Sequence, residues 1–356
     1  MNKKLFLAVA MMSLVMTFTS CAVPYNPETT TAPSATTVTE SSETSETTTE
    51  STEIERLAPY DHTFNPHCIS DVYVKKYGEE FRENYFRFCD AALAGEDTVK
   101  LDKKDYLQLF QDISRYCLPV VDTYAHIEDS GTKGNNTYKI VYSLPKDEYL
   151  KKVDEFKTRV EFLIENALFE DDTELEKALG LYLSESGRID YDYDALADNF
   201  VSPEGYGVCP YRAIMTDKAI CQEIAGAFAY LLLQVGVDAI TCGGLTKDSS
   251  GAHDWTLVRI DGIYYHCDVT FQCSNKYNLR YFGMNDAQRE LEGDWDMPYN
   301  NIGNINTIWH KDLPITDTRF EKVWSSFTVF LDHEENMLYC YDDSGTENAC
   351  YFKMPV

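Results

Sequence analysis

The residues with the clearest chemical potential are a cysteine, a histidine and an aspartate that follow one another along the chain. Cys221 begins an apolar segment, and His253 and Asp268 lie on the two arms of a predicted hairpin. A thiol becomes a strong nucleophile when a base takes its proton and a third group orients that base. This order of residue types therefore indicates acyl transfer through a thiol, provided that the fold brings the three side chains together.

Cys221 is predicted at the start of a helix. From Gln222 to Val235 apolar residues recur three and four positions apart, and Gly236 follows as a residue that tolerates the positive φ of a helix end. The unpaired N–H groups and the dipole at a helix start stabilise an anion, so a thiol ionises more readily there. The alternative is a buried cysteine that only packs, which is the commoner role of a free cysteine.

The hairpin is predicted from the dipeptide Asp261-Gly262, which is typical of a two-residue turn. The strands are predicted at Trp255 to Ile260 and Ile263 to Phe271, and the register pairs Trp255 with Asp268 and His253 with Thr270. Paired and diagonal side chains share one face of a sheet, so we expect the carboxylate of Asp268 within reach of the imidazole of His253. An exposed hairpin with incidental polar residues is the alternative.

These segments resemble the transglutaminase-like superfamily of papain-fold thiol enzymes, whose members carry a cysteine on a helix, a His–x–Trp strand and an Asp–x–Thr strand. The resemblance covers residues 165–290. The matching segments are Cys221-Gln222-Glu223-Ile224-Ala225, His253-Asp254-Trp255 and Asp268-Val269-Thr270, with flanking matches at Tyr191-Asp192-Tyr193, 232–239, 261–265 and 280–286. The resemblance implies an α+β papain-like fold, in which the helix that carries the cysteine packs on an antiparallel sheet.

The resemblance also implies a role for each residue. Cys221 would be the nucleophile, His253 the general base and then acid, and Asp268 the group that orients the imidazole. The backbone N–H of Cys221 would donate one hydrogen bond to the oxyanion, and Tyr211 is the implied second donor. Arg212 departs from the family pattern, because many relatives have glycine there. No cofactor is implied, and no cysteine pair or histidine cluster has the spacing of a zinc site.

The N-terminus has the features of a bacterial lipoprotein signal. Two lysines precede the apolar segment Leu5 to Val15, which is too short to span a membrane. The segment Phe18-Thr19-Ser20-Cys21 resembles a lipobox, and this implies cleavage before Cys21 and attachment of lipid to its thiol. The residues that follow, up to residue 55, are rich in Thr, Ser and Glu and predict a disordered tether. An ordinary secretory signal with an incidental cysteine is the alternative.

The charge of the chain excludes some partners. Its 59 acidic and 31 basic residues give a formal net charge of −28, which opposes binding to nucleic acid. The chain has 11 cysteines. Cys340 and Cys350 flank a turn-like segment and are candidates for a disulfide, but spacing alone does not establish a pairing.

These observations divide the chain into five parts and predict a function. The parts are a signal peptide at 1–20, a lipidated cysteine with its tether at 21–55, a mostly helical region at 56–164, a transglutaminase-like domain at 165–295 and a β-rich segment at 296–356. The predicted function is a thiol acyl-transfer enzyme, either a protease or amidase or a transamidase, anchored by lipid at the extracellular face of the bacterial cell membrane. Its predicted partners are peptide or protein substrates, including cell-wall peptides. The alternative is a surface binding or adhesion module that has kept the fold without turnover.

Overall fold

The computed structural model describes most of the chain between residues 58 and 353. Within this range it leaves out residues 103–105, 130–135, 198–207, 249–250, 274–278, 294, 298–299, 304–307, 326–327, 333–336 and 342–351. The predicted signal peptide and tether, with Cys21, lie outside the described residues, and so does Cys350. None of the described helices is both long and apolar enough to cross a membrane.

The described part of the N-terminal region is mostly helical, as predicted. Its helices are α1 (Asp71–Tyr77), α2 (Glu79–Leu93), α3 (Tyr106–Cys117), α4 (Pro119–Tyr124) and α5 (Lys146–Glu165). Its strands are β1 (Thr98–Lys100), β2 (Ala125–Asp129) and β3 (Thr137–Tyr142), which form an antiparallel sheet in the order β1-β3-β2.

Aromatic side chains form the core of this region. Phe81, Tyr85 and Phe88 lie at helical spacing on the buried face of α2. All three contact Phe110 of α3, with ring centroids 5.3 to 5.8 Å apart. Burial of a side chain of this size stabilises the fold by about 1.5–3 kcal/mol, so this cluster fixes α2 against α3.

The second half of the chain contains a four-stranded antiparallel sheet with helices packed against it, which is the expected α+β arrangement. Its helices are α6 (Glu174–Arg188), α7 (Tyr193–Ala197), α8 (Pro210–Met215), α9 (Cys221–Gln234), α10 (Val269–Cys273) and α11 (Asp286–Leu291). Its strands are the parallel pair β4 (Asp190–Tyr191) and β5 (Lys218–Ala219), and the sheet strands β6 (Ala239–Leu245), β7 (Ala252–Ile260), β8 (Ile263–Cys267) and β9 (Asn301–Ile302), in the order β8-β7-β6-β9.

The central helix of this domain is α9. Of its 14 residues, 12 are buried, and the helix packs on β6 and β7 on one side and on helices on the others. Gly236 follows its end with a φ of +80°, as the sequence predicts. Because α9 is apolar nearly all round, it is stable only when the sheet and the surrounding helices cover it.

The predicted hairpin is confirmed. Asp261 and Gly262 form the turn with φ values of 51° and 83°, and Ile260 pairs with Ile263 as the predicted register requires. A two-residue turn with both central residues at positive φ matches the twist of the flanking strands.

The second arm of the hairpin is shorter than predicted. Strand pairing ends at Thr256 and Cys267, so the predicted pairs of Trp255 with Asp268 and of His253 with Thr270 are wrong. The chain turns at Asp268 into α10 instead, because the Asp268 carboxylate binds a backbone N–H in the first turn of that helix. An aspartate in this position favours a helix start over a continued strand.

The C-terminal segment contributes to the core as well as to a separate sheet. Its strand β9 pairs with β6, so the core sheet extends beyond residue 295. A short 3₁₀ helix follows at His310–Asp312. The strands β10 (Thr328–Asp332), β11 (Met337–Tyr341) and β12 (Phe352–Lys353) form an antiparallel sheet, in agreement with the predicted β-rich character.

We predict that Gly226→Ala destabilises the protein. A Cβ atom at Gly226 on α9 would overlap the ring of Pro210 on α8 and lie 2.9 Å from Cδ1 of Tyr116. Overpacking of this kind costs about 1–3 kcal/mol. Urea denaturation should show this loss. Gly187→Ala on α6 is the matched control, because a Cβ there meets no atom within 4 Å and a helical alanine is favoured over glycine. Equal stability of the two variants would contradict the close packing of α8 on α9.

Candidate active site

The helix that begins with Cys221 is fixed against the strand that carries His253. The hydroxyl of Thr256 on β7 donates a hydrogen bond to the carbonyl oxygen of Ala225 on α9, at 3.0 Å. Cys221 is the first residue of α9, as predicted, and its side chain is partly exposed. Among the cysteines whose surroundings the structure describes, only Cys273 shares this partial exposure. Cys221 is therefore less buried than the cysteines in the described core.

A carboxylate closes the first turn of α9. Glu223 Oε2 accepts the N–H of Ile220 at 3.0 Å, and Oε1 accepts the N–H of Cys209 at 3.3 Å. Glu223 is fully buried. A buried negative charge two residues from Cys221 would by itself disfavour the thiolate, so this charge needs a counter-ion.

Arg212 of α8 is that counter-ion. Its guanidinium binds Glu223 through Nε at 2.9 Å and through Nη2, and it binds Asp192 through Nη1 at 2.7 Å. Asp192 belongs to the Tyr-Asp-Tyr segment and also accepts the N–H of Ala195 in α7, at 3.0 Å. Arg212, which departs from the family pattern, thus joins three elements beneath the start of α9. Removing one partner of such a buried group costs about 3–5 kcal/mol.

His253 and Asp268 form a direct hydrogen bond, as the sequence predicts. Nε2 of His253 lies 2.7 Å from Oδ2 of Asp268, and both side chains are almost completely buried. Burial by itself raises the pKa of Asp268, but the neighbouring His253 and Arg289 outweigh burial and hold that pKa below its usual value. An ionised carboxylate can only accept, so the proton of a neutral imidazole lies on Nε2 and the lone pair on Nδ1.

The backbone around Asp268 holds the carboxylate in place. Its Oδ1 accepts the N–H of Phe271 at 3.0 Å, and its carbonyl oxygen accepts the N–H of Gln272 at 3.1 Å. Its own N–H donates to the carbonyl oxygen of Tyr281 at 2.9 Å. The carboxylate that faces His253 therefore also caps α10, and its position is fixed from two sides.

Aromatic rings fix the plane of the imidazole. His253 stacks on Phe271 with centroids 4.6 Å apart at 12°, and on Trp295 at 5.4 Å and 23°. Trp255, two residues along β7, is also near, at 5.9 Å. The stacking leaves the imidazole few orientations besides the one that meets Asp268.

Arg289 of α11 is a member of the site that sequence reasoning missed. Its Nη1 donates to Oδ2 of Asp268 at 2.8 Å, and its side chain is fully buried. The only sequence signal was its place after the family's closing segment, because an isolated arginine in a short polar helix usually lies on the surface.

Tyr211 lies on α8, and its ring is buried against the N-terminal helices. It stacks on Phe156 of α5 with centroids 5.6 Å apart, and the hydroxyl of Tyr124 donates to its hydroxyl at 3.3 Å. This position joins the domain to the N-terminal region. The role of Tyr211 as second oxyanion donor stays a prediction.

A family model described as the transglutaminase-like superfamily matches residues 164–269. These residues belong to the transglutaminase-like superfamily. The matched range contains Cys221, His253 and Asp268, and it corresponds to the resemblance that the sequence motifs indicate.

Two solved structures match parts of the chain. One is the crystal structure of a TGase, 17% identical over 48% of this chain and 48% of that chain, with a TM-score of 0.29. The other is of a protein from Cytophaga hutchinsonii named as a candidate cysteine protease, 12% identical over 32% of this chain and 37% of that chain, with a TM-score of 0.26. The chain thus spans less than half the length of either protein, and TM-scores this low carry no argument. No curated protein matches the chain significantly.

The transglutaminase-like domain also takes part in a second cluster of titratable side chains. His266 of β8 and His310 of the 3₁₀ helix both bind Oδ1 of Asp286, the first residue of α11, through their Nε2 atoms at 3.0 and 2.7 Å. Asp286 Oδ2 accepts the N–H of Ile315 at 3.0 Å. Two imidazoles and a carboxylate are ligands that zinc accepts, so this cluster is the candidate metal site among the described residues.

The hydrogen bonds of this cluster do not fit a metal ion. The indole Nε1–H of Trp255 donates to Nδ1 of His266 at 2.8 Å, and an indole can only donate. Nδ1 of His266 therefore carries a lone pair, and the proton lies on Nε2, the atom that would have to bind the metal. Hydrogen bonds hold the three residues together, and His266 orients the indole of Trp255.

We predict that the cluster makes the protein less stable at acidic pH. Burial lowers the pKa of His266 to about 4, against the opposing effect of Asp286. An unfolded histidine takes up its proton near pH 6.5, so the stability that His266 contributes is complete above pH 6.5 and is lost as the pH falls towards 4. The loss from this residue is of the order of 3 kcal/mol.

Urea denaturation at pH 7 and pH 4.5 measures this loss. His266→Gln keeps one acceptor and one donor but does not titrate, so its stability should fall less between the two pH values than that of the wild type. His126→Gln, a change at an exposed histidine on β2, is the control and should leave the pH dependence unchanged. Identical pH dependence in wild type and His266→Gln would contradict the assignment.

Proposed function

We propose that this protein is a thiol acyl-transfer enzyme that acts on peptide or carboxamide carbonyls, with Cys221 as its nucleophile. The observation that carries the proposal is the buried hydrogen bond of 2.7 Å between His253 and Asp268. His253 lies on β7, the strand against which the helix of Cys221 packs. A buried carboxylate costs stability, so an ionised one that orients a base favours turnover over the alternative of a binding module.

In the proposed reaction His253 moves a single proton. Its Nδ1 takes the proton of the Cys221 thiol, because Nε2 is engaged with Asp268. The sulfur attacks the carbonyl carbon, and the backbone N–H of Cys221 at the helix start stabilises the negative oxygen. The C–N bond then breaks, the imidazolium gives its proton to the leaving amine, and the acyl group stays on sulfur as a thioester.

The acceptor of the acyl group defines the product. Water gives hydrolysis, as in a protease or amidase, and an amine gives a cross-link, as in a transamidase. The three side chains do the same in both cases, because the acceptor enters after the first amine has left. We propose peptide or protein substrates, including cell-wall peptides, because the N-terminal sequence favours a position at the cell surface.

We also propose that lipid at Cys21 anchors the protein to the extracellular face of the bacterial cell membrane. Support comes from the short apolar segment that ends in small residues before Cys21. The polar residues that follow, up to residue 55, favour a disordered tether. Such a tether would hold the enzyme away from the membrane and near its substrates.

We predict that Cys221 is the fastest-reacting thiol and that Asp268→Asn slows it. Without the carboxylate the imidazolium loses its counter-ion, so less thiolate forms, and alkylation by iodoacetamide at pH 6 should slow about 10- to 100-fold. Mass spectrometry of the alkylated full chain measures the rate at each cysteine.

Asp90→Asn is the matched control, because Asp90 also lies 2.7 Å from a histidine, His67, but on the surface. This variant should react like the wild type. If Cys221 reacts no faster than Cys273, which is the other partly exposed cysteine among those whose surroundings are described, the enzyme proposal fails and the binding module becomes the better interpretation.

We predict that Cys21→Ala releases the protein from the membrane fraction. The change removes the thiol that would carry lipid, and diacylation is needed for firm anchoring. Fractionation of the bacterial host and the mass of the N-terminal peptide measure the effect. Cys273→Ala is the control and should stay anchored. Wild-type protein in the medium with an unmodified Cys21 thiol would contradict the proposal.

A further inference from the structure

Arg289 is a buried cation that shares an oxygen atom with the candidate base. Oδ2 of Asp268 accepts from Nη1 of Arg289 at 2.8 Å and from Nε2 of His253 at 2.7 Å. The exposed fraction of each of the three residues is 2% or less. One carboxylate oxygen thus serves two donors in a space that water does not reach.

Among the described residues, Asp268 is the carboxylate that pairs with Arg289. Its Cζ lies 4.2 Å from the ring centroid of Trp255 and 5.2 Å from those of Phe271 and Trp295. Its Nε and Nη2 are buried and find no hydrogen-bond partner among the described residues. Each unsatisfied buried donor costs about 1–3 kcal/mol of stability. An arginine in this space therefore destabilises the fold relative to an apolar side chain. Its charge therefore calls for an explanation other than packing.

Helix α11 and the histidine cluster hold Arg289 in place. Asp286 lies one turn before Arg289 on α11 and binds His266. His266 in turn accepts the indole N–H of Trp255, the ring on which the guanidinium lies. The cluster thus fixes both the helix that carries Arg289 and the aromatic surface beneath the cation.

The charge of Arg289 acts mainly on Asp268. Among the described residues, the other titratable groups that interact with it are Cys242 of β6, Tyr281 and His266. Burial raises the pKa values of Cys242 and Tyr281 and lowers that of His266, so all three are neutral near pH 7. Asp286 is already engaged by two histidines, and Asp254 acts on Cys242. Asp268 is therefore the anion that Arg289 balances.

The pairing of Arg289 with Asp268 affects whether the carboxylate favours a neutral or a protonated imidazole at His253. With Arg289 present, Asp268 has a counter-ion while the imidazole is neutral. Without Arg289, the imidazolium would be the only counter-ion that the described residues place within hydrogen-bonding distance of Asp268, and the imidazole would hold its proton more tightly.

We propose that Arg289 is a positioning residue that supplies the counter-charge of Asp268 and so leaves the imidazole of His253 free to accept the proton of Cys221. The inference rests on the proposed function for its catalytic meaning. The electrostatic part of the inference depends only on the contacts of Arg289. Arg289 acts through Asp268 and makes no step of the reaction itself.

The test is the titration of His253 with and without the cation. In the full chain with Cys221→Ala, which removes the coupled thiol, NMR of the imidazole nitrogens follows His253 protonation. Arg289→Met should move the midpoint of this titration upwards by about one pH unit or more, because an opposite charge is lost from the carboxylate. Arg289→Lys, which keeps the charge, should move it less.

Arg82→Met is the matched control, because Arg82 is also paired with a carboxylate and lies over an aromatic ring, but on the surface. It should leave the titration unchanged. If Arg289→Met does not fold, Arg289→Gln removes the same charge while keeping a donor for Asp268. An unshifted His253 titration in a folded, uncharged variant would overturn the inference and leave Arg289 a structural residue.

The two proposals fail separately. A shifted titration together with an unreactive Cys221 in the otherwise wild-type chain would keep the role of Arg289 and reject the enzyme. A fast-reacting Cys221 with an unshifted titration would keep the enzyme and reject the role of Arg289.

Discussion

The carboxylate of Asp268 is the group on which the rest of the site depends. A carboxylate without exposed surface stays ionised only when hydrogen bonds and opposite charge replace the water that it has lost. Here the replacements are a backbone N–H of Phe271, the imidazole of His253 and the guanidinium of Arg289. They come from α10, β7 and α11, so these three elements must pack together before the site exists.

A second buried ionic group supports the other half of the site. Arg212 joins Glu223 at the start of α9 to Asp192, which lies between β4 and α7. This group fixes the turn from which Cys221 projects, whereas the group around Asp268 fixes the imidazole. The hydrogen bond from Thr256 to Ala225 joins α9 to β7, the strand that carries His253.

The aromatic residues around His253 reduce access of water to these charges. With Phe271, Trp255 and Trp295 packed close together, the local dielectric constant is low and each charge acts more strongly on its neighbours. The cluster of His266, Asp286 and His310 belongs to the same construction, since it orients the indole of Trp255. The residue types of this cluster can bind a metal ion, but here hydrogen bonds join them and the cluster supports Trp255.

The sequence by itself determined the helix start at Cys221, the Asp-Gly turn and the hairpin register between Thr256 and Cys267. These features depend on local periodicity and turn chemistry, which neighbouring residues encode. Only the tertiary structure decided that Arg289 is buried against Asp268 and that Arg212 pairs with Glu223. Asp268 lies 21 residues from Arg289 along the chain, and Glu223 lies 11 residues from Arg212. No local pattern encodes such contacts, because they form only when separate elements pack and exclude water.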